Sequence, residues 1–346
     1  MRTAMISGAT GFVGGALLAE LLQRGWDVRA LVRRGADDRN LRGHARPFDW
    51  IWGDLRDKPS LARAVEGCDV VFHVAARYSL WNPSPREIYI DNVEGTRNLL
   101  EAAQEAGVPK IVYTSTVGVL KPRTDASSVD ETSIASEREI SGHYKRSKWL
   151  AEKIASEMAA RGLPVVIVNP STPVGPRDVK PTPTGRLIVD FLRRRMFAYT
   201  DTGLNLVAVE DVARGHILAA ERGTPGERYI LGGENYSLRD LFALLAELTG
   251  LPQPRWRVPR SLLKPLAAVS TSVSRVTRQM PLVPWEAACM AQRHMYFDSS
   301  KAQKQLGYST SDVRSALERA VAWFRDNRYS TPAKRCAVCV ESIPPS

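Results

Sequence analysis

The sequence lacks several features that would define whole classes of protein. Its four cysteines, Cys68, Cys289, Cys336 and Cys339, are too few and too scattered for the disulfide framework of a small secreted domain. No stretch approaches the roughly 18 consecutive apolar residues that cross a bilayer. The seven residues before the first glycine motif already have the pattern of a strand, which leaves no room for a secretory signal peptide. We therefore expect a cytoplasmic protein.

Acidic residues are scarce relative to basic ones, 37 against 48, which gives a net charge of +11. This excess favours anionic partners such as nucleotide phosphates or acidic lipid surfaces. Nucleic acid is not an expected partner, because no recognised nucleic-acid-binding module is present. No metal is expected either, since Cys336 and Cys339 form a lone CxxC with no second pair of ligands to complete a zinc site. Both lie in residues 329–346, which we expect to be a flexible tail.

What is present is a regular alternation of strand and helix patterns in the first half. The segments "TAMISG", "VRALVR", "VVFHVAA", "KIVYTST" and "PVVIVNP" are nearly continuous apolar runs, as in strands buried on both faces of a parallel sheet. Amphipathic segments such as "NVEGTRNLLEAAQEAG" separate them and end near glycine. The alternation predicts an α/β, Rossmann-type, doubly wound parallel sheet.

The pattern changes after Pro170, where a Pro- and Gly-rich segment precedes a mainly helical region. We predict a dinucleotide-binding domain over residues 1–170, to which residues 205–230 return. Residues 171–204 and 231–328 are then expected to form a smaller, partly discontinuous cap that binds the substrate.

The stretch "GATGFVG" places Gly8, Gly11 and Gly14 between the first predicted strand and the first helix. Glycines there permit a tight turn and a close approach of the backbone to a pyrophosphate, and the helix N-terminus offers unpaired N–H groups. A glycine turn that serves packing alone is the alternative. The Walker A pattern is absent, which disfavours hydrolysis of nucleoside triphosphates.

The residues after the second strand indicate which dinucleotide is bound. An acidic residue there would bind the ribose hydroxyls of NAD, whereas arginine accommodates the 2′-phosphate of NADP. The strand ends in "ALVRR", with no acidic residue before Asp37. Arg33, with Arg34, therefore favours NADP(H), and NAD(H) stays possible. Asp54, in "GDL" after the third strand, is placed to meet the adenine ring.

Tyr144 and Lys148, in "YKRSK", stand one above the other if this segment is helical. A tyrosine is a weak acid or base at neutral pH, but a lysine ammonium and an oxidised nicotinamide both lower its pKa. Ser115 and Thr116 end the fifth predicted strand, where open α/β sheets bind ligands. They supply candidate hydroxyls for holding a substrate oxygen.

Together these motifs resemble a known family, the extended short-chain dehydrogenase/reductases. The resemblance covers about residues 2–328 and is carried by "GATGFVG", "GDL", "HVAA", "NVEGTRNLLEAA", "YTSTVG", "YKRSK" and "NPSTPVGP". The segments "YSLWNPSPREIYIDNVEGTRN" and "NPSTPVGPRDVKPTPTGRLIVDFL" are similar to the hopanoid-associated sugar epimerase group, which neighbours the dihydroflavonol 4-reductases. The name of that group implies action near hopanoid lipid synthesis.

The resemblance implies a role for each matching residue. Tyr144 would be the general acid/base, Lys148 its electrostatic partner, and Thr116 the hydroxyl beside the substrate carbonyl. Asn92 is expected to be structural. The implied cofactor site comprises Gly8, Gly11, Phe12, Val13, Gly14, Arg33, Asp54, Leu55, Ala75, Ala76, Thr114, Tyr144, Lys148, Pro170 and Thr172.

Three functions remain open. Val117 and Gly118 stand where sugar-nucleotide dehydratases of the family carry an Asp-Glu pair, so dehydration is disfavoured. An epimerase acting on a sugar-like or hopanoid-pathway substrate, or a carbonyl reductase like the dihydroflavonol reductases, would transfer a hydride at a C–OH/C=O carbon. A non-catalytic NADP-binding regulator is the alternative of another class.

The substrate is expected to be a small sugar, polyol or lipid-linked molecule. The segment 259–285 mixes apolar with basic residues, which permits either an ordinary packed cap helix or weak contact with an anionic membrane surface. Trp81 could flank the substrate or serve packing. Relatives of this kind often pair through two helices, so a homodimer is possible.

Overall fold

A computed structural model describes residues 2–78, 85–277, 281 and 285–330, and only the backbone of residues 275–277. Trp81 and the pair Cys336 and Cys339 lie outside the described residues, so their interpretations stay predictions. Within the described residues, no helix is long and apolar enough to cross a membrane.

The described part contains twelve strands and twelve α-helices. The strands are β1 (Thr3–Ser7), β2 (Asp27–Val32), β3 (Asp49–Trp52), β4 (Val70–His73), β5 (Ile111–Thr114), β6 (Val165–Pro170), β7 (Thr172–Val174), β8 (Ala198–Thr200), β9 (Gly203–Ala208), β10 (Arg228–Leu231), β11 (Glu234–Ser237) and β12 (Trp256–Val258). The helices are α1 (Phe12–Gln23), α2 (Lys58–Val65), α3 (Pro85–Tyr89), α4 (Gly95–Glu105), α5 (His143–Ala160), α6 (Pro183–Leu192), α7 (Val209–Arg222), α8 (Leu238–Thr249), α9 (Arg260–Thr277), α10 (Trp285–Met290), α11 (Ser300–Leu306) and α12 (Val313–Asp326).

The largest sheet has seven strands in the order β10-β6-β5-β4-β1-β2-β3. Every pairing within it is parallel. The strand order reverses between β1 and β4, and ligands of such sheets bind in the crevice outside the carboxyl ends of the strands at this point. The predicted Rossmann-type fold is confirmed.

Two apolar layers cover the two faces of this sheet, as the nearly continuous apolar strands require. On one face α1 and α7 pack together, with Leu17, Leu21 and Ile217 fully buried. On the other face α2, α4 and α5 pack, with Leu99 and Ile154 in the core. The sheet is therefore buried on both sides, and its carboxyl edge is left for the site.

The cap is built around a three-stranded sheet of order β11-β9-β7, with α6, α8 and α12 packed against it. Its core includes Ile188, Phe242 and Phe324. Helix α11 lies between α8 and α12 of the cap in sequence but packs Ala302 and Leu306 into the core of the large sheet. Helix α7 packs on the large sheet and β10 is an edge strand of it. Both lie in or next to residues 205–230, the segment predicted to return to the dinucleotide-binding domain.

Candidate active site

The glycine loop connects β1 to α1 at the carboxyl edge of the sheet. Gly8 has φ +82°, and a Cβ placed on it would lie 2.7 Å from the backbone N and Cα of Ala75. A Cβ on Gly14 would lie 2.1 Å from the Gly8 carbonyl oxygen. Only glycine fits at both positions, because the backbones of the loop, of α1 and of the segment after β4 approach so closely.

The N-terminus of α1 is open for an anion. Gly11 is the N-cap of α1 and provides no side chain to bond the free N–H groups of the first turn. The Gly11 N–H donates to the Gly8 carbonyl over 2.9 Å, which fixes the turn. The next residues, Phe12 and Val13, begin the helix. A cradle of glycine backbone ending at an uncapped helix N-terminus fits a pyrophosphate, so the residues present fit a dinucleotide.

Asn40 braces this loop from the segment after β2. Its side-chain amide, which is buried, donates to the carbonyl oxygens of Thr10 at 3.2 Å and Gly11 at 3.1 Å. Sequence reasoning did not identify Asn40. No local pattern marks it, because its partners lie about thirty positions earlier in the chain.

The residues after β2 were expected to indicate which dinucleotide is bound. Arg33 is solvent-exposed, with its guanidinium 3.9 Å from the Asp91 carboxylate. The guanidinium of Arg34 lies 5.8 Å from the centre of the Trp52 ring. The first acid after β2 in the sequence, Asp37, is held by Arg39 at 2.7 Å, and this hydrogen bond lowers the pKa of Asp37 to about 2. The carboxylate that could serve an NAD ribose is therefore already engaged.

Asp54 and Leu55 follow β3 at the same edge. The Asp54 carboxylate accepts the backbone N–H of Arg56 over 2.9 Å, which orients it locally. Leu55 packs against α4, where a Cβ on Gly95 would lie 2.8 Å from the Leu55 Cβ. Both residues follow β3, which pairs with β2, and their place beside an adenine ring stays a prediction.

A directional hydrogen-bond chain runs beneath the loop. The Ala75 N–H donates to Ser7 Oγ at 3.3 Å, and Ser7 Oγ meets His73 Nδ1 at 2.8 Å. His73 Nε2 meets Thr96 Oγ1 at 2.9 Å, and Thr96 Oγ1 donates to the Asn92 carbonyl at 2.6 Å. Since Thr96 donates onward, His73 carries its proton on Nε2. Burial lowers the pKa of His73 to about 3, so the ring stays neutral.

Tyr144 and Lys148 share one face of α5. The Lys148 ammonium donates to the Thr114 carbonyl over 2.7 Å and lies 4.4 Å from the centre of the Tyr113 ring. The Tyr144 ring contacts the Tyr78 ring after β4, with centroids 4.3 Å apart. The pair therefore faces the carboxyl edges of β4 and β5.

The electrostatics of the pair differ from the sequence expectation. Burial raises the pKa of Tyr144 above its ordinary value and lowers the pKa of Lys148 to about 7. Both shifts favour the neutral form, because a low-dielectric environment opposes charge. The chain's own residues do not lower the phenol pKa, so that prediction now rests on the positive charge of an oxidised nicotinamide.

Thr116 lies just past β5 and caps the short 3₁₀ turn Val117–Val119. Its hydroxyl accepts the Gly118 N–H over 3.0 Å, which leaves the hydroxyl proton available to a ligand. The Ser115 hydroxyl is buried and has no hydrogen-bond partner in the described part of the chain. Both hydroxyls predicted at this edge are therefore present, and each has a proton that can be donated to a ligand.

The remaining predicted residues divide into two groups. Ala75, Ala76, Pro170 and Thr172 follow or end strands at the carboxyl edge, beside the glycine loop or at the start of β7. Thr114 directs its hydroxyl to the buried His216 at 2.8 Å, away from this edge. Thr114 can therefore contact a cofactor only through its backbone, whose carbonyl oxygen also accepts the hydrogen bond from Lys148.

Asn92 joins the two halves of the site. Its amide donates to the Arg77 carbonyl at 3.0 Å and to Ser147 Oγ at 2.9 Å, and its oxygen accepts the Arg77 N–H at 2.7 Å. Ser147 Oγ in turn donates to the Tyr144 carbonyl at 2.7 Å. Asn92 lies in a π-helical stretch, Ile90–Glu94, between α3 and α4. It ties the segment after β4 to the helix that carries Tyr144, the structural role expected of it.

A second pair beside the site was not identified from the sequence. Glu286, at the start of α10, accepts the His143 N–H of α5 at 3.0 Å. Lys145 lies over the turn after Thr116, with its Cε 3.4 Å from where a Cβ on Gly118 would be. Burial raises the pKa of Glu286 to about 7 and lowers that of Lys145 to about 8. The two residues are 141 positions apart, so no spacing could relate them.

Comparison with known proteins agrees with this geometry. Residues 4–232 match the family described as "NAD dependent epimerase/dehydratase family". The chain is 46% identical over 328 residues to a Synechocystis sp. protein named "Putative dihydroflavonol 4-reductase", covering 94% of this chain and 95% of that one. It is 36% identical over 326 residues to sterol demethylase protein B of Methylococcus capsulatus, covering 94% and 98%.

A solved structure also matches over nearly the whole chain. The crystal structure of gox2253 has 46% sequence identity and a TM-score of 0.85, and the match covers 94% of this chain and 99% of that one. The cap is therefore shared as well as the dinucleotide-binding part.

Proposed function

This chain belongs to the NAD dependent epimerase/dehydratase family of enzymes, and on that premise we propose that it is an NADP(H)-dependent oxidoreductase acting on an apolar alcohol or ketone. Membership confirms the resemblance drawn from the motifs and the expectation of an enzyme. One observation carries the proposal: Lys148 and Tyr144 face the same carboxyl edge as the uncapped glycine loop.

The cofactor would be held mainly by backbone. Gly8, Gly11, Phe12, Val13 and Gly14 offer the pyrophosphate N–H groups and the positive end of the α1 dipole. The Arg33 guanidinium supplies charge-assisted hydrogen bonds for a 2′-phosphate. Further contacts come from Asp54, Leu55, Ala75, Ala76, the backbone of Thr114, Pro170 and Thr172.

Tyr144 moves the proton in the reaction we propose. When bound, the nicotinamide supplies or accepts the hydride. The Tyr144 hydroxyl gives its proton to the substrate oxygen during reduction and takes it back during oxidation. Thr116 donates a hydrogen bond to the same oxygen and fixes its position. The Thr114 carbonyl accepts one N–H of Lys148, and the remaining N–H groups of Lys148 can serve the nicotinamide ribose.

Two observations favour net oxidation or reduction over epimerisation. An epimerase keeps its cofactor, usually NAD, and the first acid after β2 in the sequence, Asp37, is already engaged by Arg39. Among the relatives above, one is named as a reductase and one as a sterol demethylase protein. A polycyclic or isoprenoid alcohol or ketone, which includes the hopanoid class, is therefore the substrate class we favour.

Epimerisation of a sugar-like substrate stays the second candidate, since the matching family includes epimerases. Denaturing the purified protein and identifying the released nucleotide distinguishes the two. Tightly held NAD would support the epimerase. An empty site that binds NADPH reversibly, and more tightly than NADH, would support the oxidoreductase.

The variant Tyr144→Phe tests the chemistry. We expect turnover to fall by about a hundredfold or more, because an acid/base group contributes 10²–10⁴-fold. NADPH affinity and thermal stability should change little, because only one hydroxyl is removed. Tyr236→Phe, in the cap, is the matched control and should keep full turnover. Unchanged turnover in Tyr144→Phe would contradict the proposal and favour a non-catalytic regulator.

Two further properties belong to the proposal. The free thiols of Cys68 and Cys289 suit a reducing compartment such as the cytosol. A homodimer is consistent with the family resemblance, and sedimentation of the purified chain measures it directly.

A further inference from the structure

Helix α9 presents a row of aliphatic side chains to solvent. Leu262, Leu266, Val269 and Val273 are 55%, 44%, 63% and 55% exposed. Their spacing of four, three and four residues puts them within an arc of about 60° on a helix with 3.6 residues per turn. The row is about 16 Å long at 1.5 Å per residue. We call these four residues the α9 stripe.

The α9 stripe is not the face that holds the helix to the protein. That face carries Leu263 and Ala267, which are buried against Ala288 of α10. Single exposed aliphatic residues are normal. A continuous row of four is typical of a surface that contacts a membrane or another molecule.

The segment of the chain that contains the stripe carries charge of one sign. Between Glu247 and Glu286 the chain contains no acidic residue. The same interval contains six basic residues, Arg255, Arg257, Arg260, Lys264, Arg275 and Arg278. The interval is therefore far more basic than the chain as a whole.

We propose that the α9 stripe docks the protein on an anionic lipid bilayer surface, with α9 lying in the plane of the membrane. A helix with aliphatic residues on one side and basic residues flanking it inserts its apolar side at the headgroup boundary, while the cations attract acidic lipids. The stripe carries no aromatic anchor of the kind that dominates protein–protein interfaces. Asp201 pairs with Arg257 at 2.8 Å and with Arg260 at 3.7 Å, and the six basic residues outnumber it, so the charge beside the helix stays positive.

The position of α9 gives this docking a consequence. Helix α9 packs on α10, and Glu286 of α10 bonds the N-terminus of the helix that carries Tyr144. Helix α9 therefore lies beside the cap edge of the candidate site. An apolar substrate could pass from the bilayer to that edge. The docking itself does not depend on the proposed reaction.

Vesicle flotation with the full chain tests the proposal. We expect binding to vesicles of phosphatidylcholine with phosphatidylglycerol and little binding to phosphatidylcholine alone. Raising the salt from about 0.1 M to about 1 M, which shortens the Debye length from about 10 Å to about 3 Å, should weaken binding. The double variant Val269→Asp/Val273→Asp should lower affinity at least about tenfold, since it removes buried apolar area and adds negative charge.

The matched control adds the same charge elsewhere on the cap. Ala243 of α8 and Ala322 of α12 are exposed, and Ala243→Asp/Ala322→Asp should bind vesicles nearly as well as the parent. Equal losses in both double variants would overturn the proposal, because net charge alone would then explain binding. Absence of binding to the vesicles that contain phosphatidylglycerol would overturn it as well. So would a self-associating parent whose dimer the α9 variant breaks, since a second copy would then cover the stripe.

Discussion

At the scale of single residues, the candidate site depends on positions where a side chain is missing. Gly8 combines a left-handed backbone with contact to Ala75, and Gly14 lies against the Gly8 carbonyl. Each condition alone would favour glycine. Together they explain why the backbone N–H groups of the loop after β1 are accessible to a phosphate. They also explain why the glycine motif could be recognised from the sequence alone.

Gly8→Ala imposes both conditions at once, the left-handed backbone and the contact with Ala75. The left-handed backbone costs an alanine about 1–2 kcal/mol. The Cβ would also lie 2.7 Å from the Ala75 backbone, so the loop must shift. We expect NADPH binding, measured by calorimetry, to fall by at least about a hundredfold, and the melting temperature to drop by several degrees.

Gly107 provides the matched control for that variant. It has φ +64° at the end of α4, and a Cβ there would meet nothing within 4 Å. Gly107→Ala therefore carries the backbone cost without the clash. It should lower the melting temperature while leaving NADPH affinity unchanged. Equal affinity losses in both variants would contradict the close-approach explanation.

At the scale of elements, a buried histidine joins the sheet to its helical layer. His216 of α7 donates from Nδ1 to the Val212 carbonyl at 2.7 Å and accepts the Thr114 hydroxyl at Nε2. Burial lowers its pKa to about 4. Below an unfolded pKa near 6.5, the unfolded chain binds a proton that the native chain does not.

The unfolding free energy should therefore fall as the pH drops from about 6.5 to about 4. The contribution of His216 is about 1.4 kcal/mol per pH unit, since one proton separates the two states. His216→Gln retains an acceptor for Thr114 and does not titrate, so its slope in urea unfolding should be shallower by that amount. A His216→Gln variant that kept the parent slope would contradict the assignment.

The elements also show how far sequence reasoning reaches. The runs "TAMISG", "VRALVR", "VVFHVAA", "KIVYTST" and "PVVIVNP" overlap β1, β2, β4, β5 and β6, because strands buried on both faces need continuous apolar residues. The short strands β7, β8, β11 and β12 were not predicted. Each has three or four residues and depends on pairing with a distant segment, as β12 does with β8. No local pattern encodes such pairings.

The same distinction applies within the site. Tyr144, Lys148 and the glycines lie within short motifs whose chemistry can be read locally. Asn40 and Glu286 act through backbone groups far away in sequence, and their types alone predict nothing. The pKa shift of Tyr144 was also beyond reach, because burial depends on the packing of Tyr78 and of the cap around it.

At the scale of the whole molecule, one arginine connects the cap side to the dinucleotide loop. Arg177 follows β7 in a left-handed conformation, φ +67°. Its guanidinium donates to the Arg39 and Arg42 carbonyls, both at 2.9 Å, in the segment that contains Asn40. Since Asn40 braces the glycine loop, we infer that Arg177, which lies 138 positions beyond Arg39, helps to position that loop.

Arg177→Met tests this connection because it keeps the apolar stem and removes the donors. Hydrogen bonds from a charged group contribute about 1.5–3 kcal/mol each, part of it to folding. We expect NADPH binding to weaken by about tenfold, with a lower melting temperature and an unchanged ratio of NADPH to NADH affinity, because Arg177 would act on the pyrophosphate loop and not on the 2′-phosphate. Arg239→Met, at an exposed position of α8, should change neither quantity. If Arg177→Met lowered only the melting temperature, the contact would serve folding alone, and the glycine loop would be fixed by Asn40 without help from the cap side.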